Sequence, residues 1–174
     1  MAKVRRYILV KGEWHTVELA VRADGSTCPA RTFLNDLKEG MWTEDTGAEG
    51  FPDEAQIAHH TKMMAGLNRL AKRDQLINDS FVRPLIDGLW ELRLGTARLS
   101  FFDTPGDGTH TPKLPVNDIR DVENPRPDYW KIPWFDEYLR LGHYWSKDGP
   151  FTQQEDLNEA HQVREEDLTH DQQN

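Results

Sequence analysis

The chain has 174 residues, is 37% apolar and 29% charged, and carries a formal net charge of −9. That length suits one domain with decorations, long enough to bury a core. The single cysteine, Cys28, excludes an intramolecular disulfide and argues against a cysteine-based zinc site, and no apolar run approaches the roughly 20 residues that cross a bilayer.

Near the N-terminus the apolar run stops at Val10, so no signal peptide is expected, and the composition suits a soluble, cytoplasmic protein. The acidity is unevenly spread. Residues 1–40 carry seven Lys/Arg against five Asp/Glu, and residues 61–102 carry seven against four. Residues 41–60 hold five acids and no Lys/Arg, while residues 153–174 hold seven acids with Arg164 alone. A mildly basic core with acidic loops and tail is therefore expected, which permits an RNA-facing patch despite the net charge.

In chain order, residues 7–10 and 14–21 read as a hairpin turning at Lys11-Gly12, with His15, Val17, Leu19 and Val21 on one face. Pro29 opens a helix over residues 30–38, with Phe33, Leu34 and Leu37 on its inner side. Residues 44–52 form a loop. A second helix spans residues 53–73, where Ile57, Met64, Leu67, Leu70 and Ala71 repeat at helical spacing. Residues 81–102 are the most informative stretch: an anchoring loop, an Asp87-Gly88 turn, and strands 89–93 and 98–102 joined at Gly95-Thr96.

Beyond them, residues 103–127 are rich in Pro, Gly and Asp and are not expected to join the core sheet. Tyr129, Trp130 and Trp134 read as a satellite aromatic cluster. Residues 138–145 resume a strand. Thr152-Gln153-Gln154-Glu155 has capping-box spacing and opens a final helix to about Leu168, with residues 169–174 fraying as an acidic tail. Adjacent His59 and His60 point about 100° apart on a helix and cannot pair as metal ligands. His110 and His170 fall in segments expected to be mobile.

The motifs in this order resemble a known pattern. CPARTFLNDL at 28–37, RPLIDGLWELR at 83–93, ARLSFF at 97–102, HYWSK at 143–147 and TQQEDLNEA at 152–160 are similar to successive blocks of phage-derived HigB-like toxins of the RelE/ParE superfamily. The central block is the specific one; residues 104–136 have no counterpart and read as an insertion. The resemblance implies an α+β fold, a small antiparallel β-sheet packed against helices, forming a single domain over residues 1–168. It implies a toxin that cuts ribosome-bound mRNA and is held inactive by a helix-turn-helix antitoxin, without metal, small-molecule cofactor or membrane. A non-cleaving binding module on the same scaffold, and a ParE-like gyrase inhibitor, are the competing readings.

Metal-free RNA cleavage needs a group to take the 2′-OH proton, a cation to stabilise charge at phosphorus, and a proton for the leaving 5′-oxygen. Arg98 falls where the family's transition-state arginine is expected; its planar fork suits phosphate. His143 is the proton-transfer candidate, because histidine can take and give a proton near neutral pH. Lys147 completes the catalytic set. Arg83 and Arg93 are expected on the RNA backbone, with Tyr144 and Trp145 as base-stacking rings. An Arg93–Glu91 bridge competes with direct phosphate binding by Arg93, since both point to one side of a strand. Where RelE itself carries lysines, this chain has Leu89 and Glu91, so a lysine general base is not expected.

Overall fold

Two short loops of opposite character fold the centre of the chain into a meander. Asp87 and Gly88 both take positive φ, 55° and 80°, the requirement of a type I′ turn, and Leu89 N–H donates back to Ile86 O at 3.1 Å. At the next reversal only Gly95 is positive, at 56°, which suits a two-residue loop with glycine first. The computed structural model describes residues 3–42, 54–73, 81–117, 130–147 and 152–173. The expected loop at 44–52 and most of the aromatic cluster's approach, including Tyr129, lie outside the described residues.

These turns join β3 (Val82–Pro84), β4 (Trp90–Leu94) and β5 (Ala97–Thr104). With β1 (Ile8–Lys11), β2 (Thr16–Leu19) and β8 (Tyr138–Ser146) they form one sheet in the order β1-β2-β8-β5-β4-β3. The sheet is mixed, which corrects the all-antiparallel expectation. β2 and β8 run parallel, from Thr16 opposite Tyr138 to Leu19 opposite Leu141. Parallel neighbours need a long crossover, and here everything between the two strands supplies it. β3 is a second correction: the segment expected as an anchoring loop pairs with β4, setting Arg83 opposite Glu91.

Each face of the sheet is covered by a different element. α1 (Pro29–Glu39) and α2 (Glu54–Lys72) pack Phe33, Leu34, Leu37, Met63, Leu67 and Leu70 against Val17, Trp90, Leu92, Leu99, Phe101, Leu139 and Leu141. Met63, not Met64, is the methionine at the centre of this core, and Ile57 is left exposed. On the other face α3 (Gln154–Gln172) sets Ala160, Val163 and Leu168 on Ala20, Leu89 and Phe102. Gly142 permits this close approach, since a Cβ there would meet Ser100 Oγ at 3.1 Å and Val163 Cγ1 at 3.4 Å.

That apolar seam is narrow, and charges complete the docking of α3. Arg140, buried in β8, donates to Glu18 at 3.1 Å and to Asp167 at 2.8 Å, and also pairs with Asp171. Arg6 pairs with the same two aspartates, and Val21 N–H donates to Asp167 at 2.8 Å. Further along, Arg22 pairs with Glu159 and Glu166. Asp171, His170 Nε2 against Arg22 O at 2.7 Å, and Gln172 donating to Gly108 O at 3.0 Å carry the helix past Leu168. The tail expected to fray is its last turn. No capping box forms either: the N-cap is Gln153, without a side-chain cap bond.

The insertion is tied down where it leaves and rejoins the sheet. Asp103, wholly buried, accepts from Lys113 Nζ at 2.9 Å and from Asp136 N–H at 2.7 Å. His110, expected in a mobile segment, is anchored by contacts: its Nδ1 lies 2.8 Å from Asp103 O and its Nε2 3.2 Å from Arg164. β6 (Val116–Asn117) and β7 (Trp130–Lys131) pair outside the main sheet. Ile132 and Phe135 enter the main core, so this stretch is more than a satellite. Trp134 stays exposed beside Trp14, with the Arg73 guanidinium 3.7 Å above its ring.

Because Asp167 satisfies two arginines and a backbone N–H in the interior, Asp167→Ala leaves buried charge uncompensated. A loss of about 3–5 kcal/mol in urea unfolding is expected; a loss under about 1 kcal/mol contradicts this role for the network.

Candidate functional site

Cross-strand register gathers most of the expected site residues at one end of the sheet, on the face that α3 shares. Arg83 lies opposite Glu91, Arg93 opposite Arg98, and Arg98 opposite Trp145. In an antiparallel pair directly opposed side chains point to the same side. Leu92, Leu99 and Leu141 are committed to the α1/α2 core, so their neighbours in sequence, Glu91, Arg93 and Arg98, face the other way. Lys147 joins them at the end of β8, its backbone N–H donating to Thr96 O at 2.9 Å.

A register shift between Leu99 and Phe101 in the β5–β8 pairing reverses the alternation along β8, so that Leu141 and Tyr144, three residues apart, both lie opposite core-facing residues. His143 and Trp145 stay on the cationic side, their rings stacked at 5.5 Å with 14° between planes. Tyr144 lies opposite Leu99 and stacks on Phe33 of α1 at 5.0 Å. Tyr144 therefore packs against α1, and its half-buried ring also lies 6.1 Å from that of His143. Trp145 is buried beneath His143 and is not an open stacking platform in this conformation.

Arg98 is only 6% exposed, which is less open than a phosphate-binding strand cation was expected to be. Its Nη1 donates to Gly95 O at 2.7 Å and to Ala97 O at 2.9 Å, so the guanidinium is braced against its own hairpin. Arg93 remains half-exposed, and Arg83, His143 and Lys147 are likewise intermediate. The more accessible cations form a rim, and Arg98 forms the floor.

At the centre sits Glu91, 4% exposed. One carboxylate oxygen stands 3.7 Å from Arg93 Nε, beyond hydrogen-bond reach, in the bridge the sequence anticipated. Glu91 Oε2 and the Nε atoms of Arg83, Arg93 and Arg98 are buried with no hydrogen-bond partner among the described residues. Burial pushes the Glu91 carboxyl above its usual range, against the pull of Lys147, Arg98, Arg93 and Arg83. Burial, helped by Arg93, lowers the Arg98 guanidinium from its usual value; arginine stays charged nonetheless.

Sequence reasoning missed two members of this site. Asp156, in the first turn of α3, places Oδ1 2.9 Å from His143 Nε2 and fixes the ring's orientation. Ser100 Oγ accepts from His143 N–H at 2.9 Å. The acidic first turn of the last helix was the available signal for Asp156; nothing in the sequence pointed to Ser100. No group of three His, Cys, Asp or Glu among the described residues is arranged to hold a metal ion. No protein-family model matches the chain, and no curated protein matches its sequence.

The raised Glu91 carboxyl has a consequence for stability. A group that holds its proton more tightly when folded stabilises fully below its unfolded value, here 4.5, and loses that contribution as pH climbs through the folded value. Urea unfolding of Glu91→Gln beside the parent at pH 4 and pH 7 should show the variant gaining relative stability at the higher pH. A difference independent of pH contradicts the burial of an ionised carboxylate.

Proposed function

We propose that this chain is a HigB-like toxin of the RelE/ParE superfamily, and that the cationic end of its sheet binds RNA phosphates for cleavage of ribosome-bound mRNA. The observation carrying this reading is the convergence of Arg83, Arg93, Arg98, His143 and Lys147 on one face, from four separate strands or their ends. The motif order described above supplies the family, and the small α+β architecture agrees with it.

In the proposed reaction His143 handles the proton at the 2′-OH or the leaving oxygen, with Asp156 holding its ring. Arg98 answers the charge gained by the phosphoryl group, in a site poor in water where such a cation counts most. Arg83, Arg93 and Lys147 grip flanking phosphates irrespective of sequence. A helix-turn-helix antitoxin is the proposed partner that restrains this activity.

The bracing of Arg98 on Gly95 O and Ala97 O favours a second reading, in which the fold binds RNA or a protein without cutting. The two readings separate in one experiment. Expression should halt translation, and Arg98→Ala should lower mRNA cleavage on programmed ribosomes by about 10²–10³-fold, the usual cost of one oxyanion-stabilising group. Intact mRNA with the parent chain, or undiminished cleavage by a folded Arg98→Ala protein, removes the catalytic assignment. For binding, Arg93→Ala and Lys147→Ala should each reduce the salt slope for a single-stranded RNA by about 0.7.

A further inference from the structure

Glu91 is anomalous for a strand on an RNA-binding face: an anion lies at the point where cations converge. Its carboxylate is desolvated, one oxygen lacks any hydrogen bond among the described residues, and the other is 3.7 Å from its nearest cation. A structural ion pair of this burial is ordinarily bidentate or hydrogen-bonded on both oxygens. Glu91 instead occupies a nest of cations with Oε2 unbonded among the described residues and Oε1 only in a long contact with Arg93. The orphaned Nε atoms of Arg83, Arg93 and Arg98 are the complementary half of the same mismatch.

Resting on the RNA-binding reading above, we propose that Glu91 is the resting counter-anion of this face, and that an RNA phosphodiester binds there with uptake of one proton from solvent by the Glu91 carboxyl. The bound phosphate takes over the neutralising role, and the carboxyl becomes neutral COOH. No other bond forms or breaks.

Electrostatics require the coupling if the phosphate engages the rim. Two anions sharing one low-dielectric site cannot both ionise without cost, and protonation of the weaker acid relieves it. Phosphodiesters are far stronger acids than carboxylic acids, so the proton goes to Glu91. Burial already raises that carboxyl in the empty site. The charged groups facing it are Arg83 from β3, Arg93 from β4, Arg98 from β5 and Lys147 at the end of β8. His143 and its partner Asp156 of α3 lie on the same face, and His59 of α2 touches the turn at Gly95. Histidine as a residue type is ionisable in this pH range, so the test must separate those side chains from Glu91.

The probe is a short single-stranded RNA whose reactive 2′-hydroxyls are replaced by hydrogen, which prevents cleavage. With the parent chain, affinity should rise as pH falls from 8 to 5, approaching tenfold per pH unit where one proton is taken up. Glu91→Gln should bind at pH 8 about as tightly as the parent does at pH 5, with most of the pH dependence gone. Calorimetry of the parent in two buffers of different ionisation heat should register uptake of up to one proton, a readout that does not need the variant to fold. A slope that persists in Glu91→Gln assigns the effect to histidine and overturns the proposal. Tight binding by the parent with no proton uptake overturns it while leaving the RNA-binding face intact. Failure of parent and variant to bind at any pH overturns both.

Discussion

Docking of α3 by buried charge is the constraint on which the arrangement of this protein depends. The helix has little apolar surface to offer: Ala160, Val163 and Leu168 form a short seam. Most of its acids are spent inward, on Arg140, Arg6, Arg22 and His143. Arg140 is the pivot, because it binds Glu18 of the neighbouring parallel strand as well as Asp167 and Asp171 of the helix. One guanidinium thereby ties two neighbouring interior strands of the sheet to the C-terminal helix. Its position at the β2–β8 boundary anchors the C-terminal end of α3, while Arg164 reaches Asp87 O in the loop between β3 and β4 and the helix's first turn reaches His143.

The same division of charge bears on the apparent conflict between a net charge of −9 and the proposed anion-binding face. Most carboxylates of the acidic helix are engaged within the molecule, by Arg6, Arg22, Arg140 and His143. At the opposite end of the sheet Glu91 and Asp156 stand among Arg83, Arg93, Arg98, His143 and Lys147. Net charge is a sum over the chain, whereas a phosphate senses the few charges within about a Debye length, ~8 Å at physiological ionic strength.

Local patterns were legible in the sequence, and distant pairings were not. The Asp87-Gly88 and Gly95 turns, the strands they join, α1 and α2 all follow from spacing and turn chemistry over a few residues. The parallel β2–β8 pair was invisible, because it joins segments more than a hundred residues apart with no periodic signature. β3 was missed since three residues cannot display alternation. Alternation placed Arg93 and Glu91 together, but it failed at Tyr144, where the register shift sends the ring to the core. The ion pairs of α3 were not legible because the partners, Arg6 and Arg22, stand at the other end of the chain.

The proposed RNA interface is confined to one place, the Arg98 end of the sheet. Mapping backbone amide shifts during titration with a short, non-cleavable RNA tests it most directly. Perturbations should concentrate at Arg83, Glu91, Arg93, Arg98, His143 and Lys147, and leave Arg6, Arg140 and Asp171 unmoved. Shifts centred on the Arg6–Arg140 end, or no shifts at millimolar RNA, contradict it.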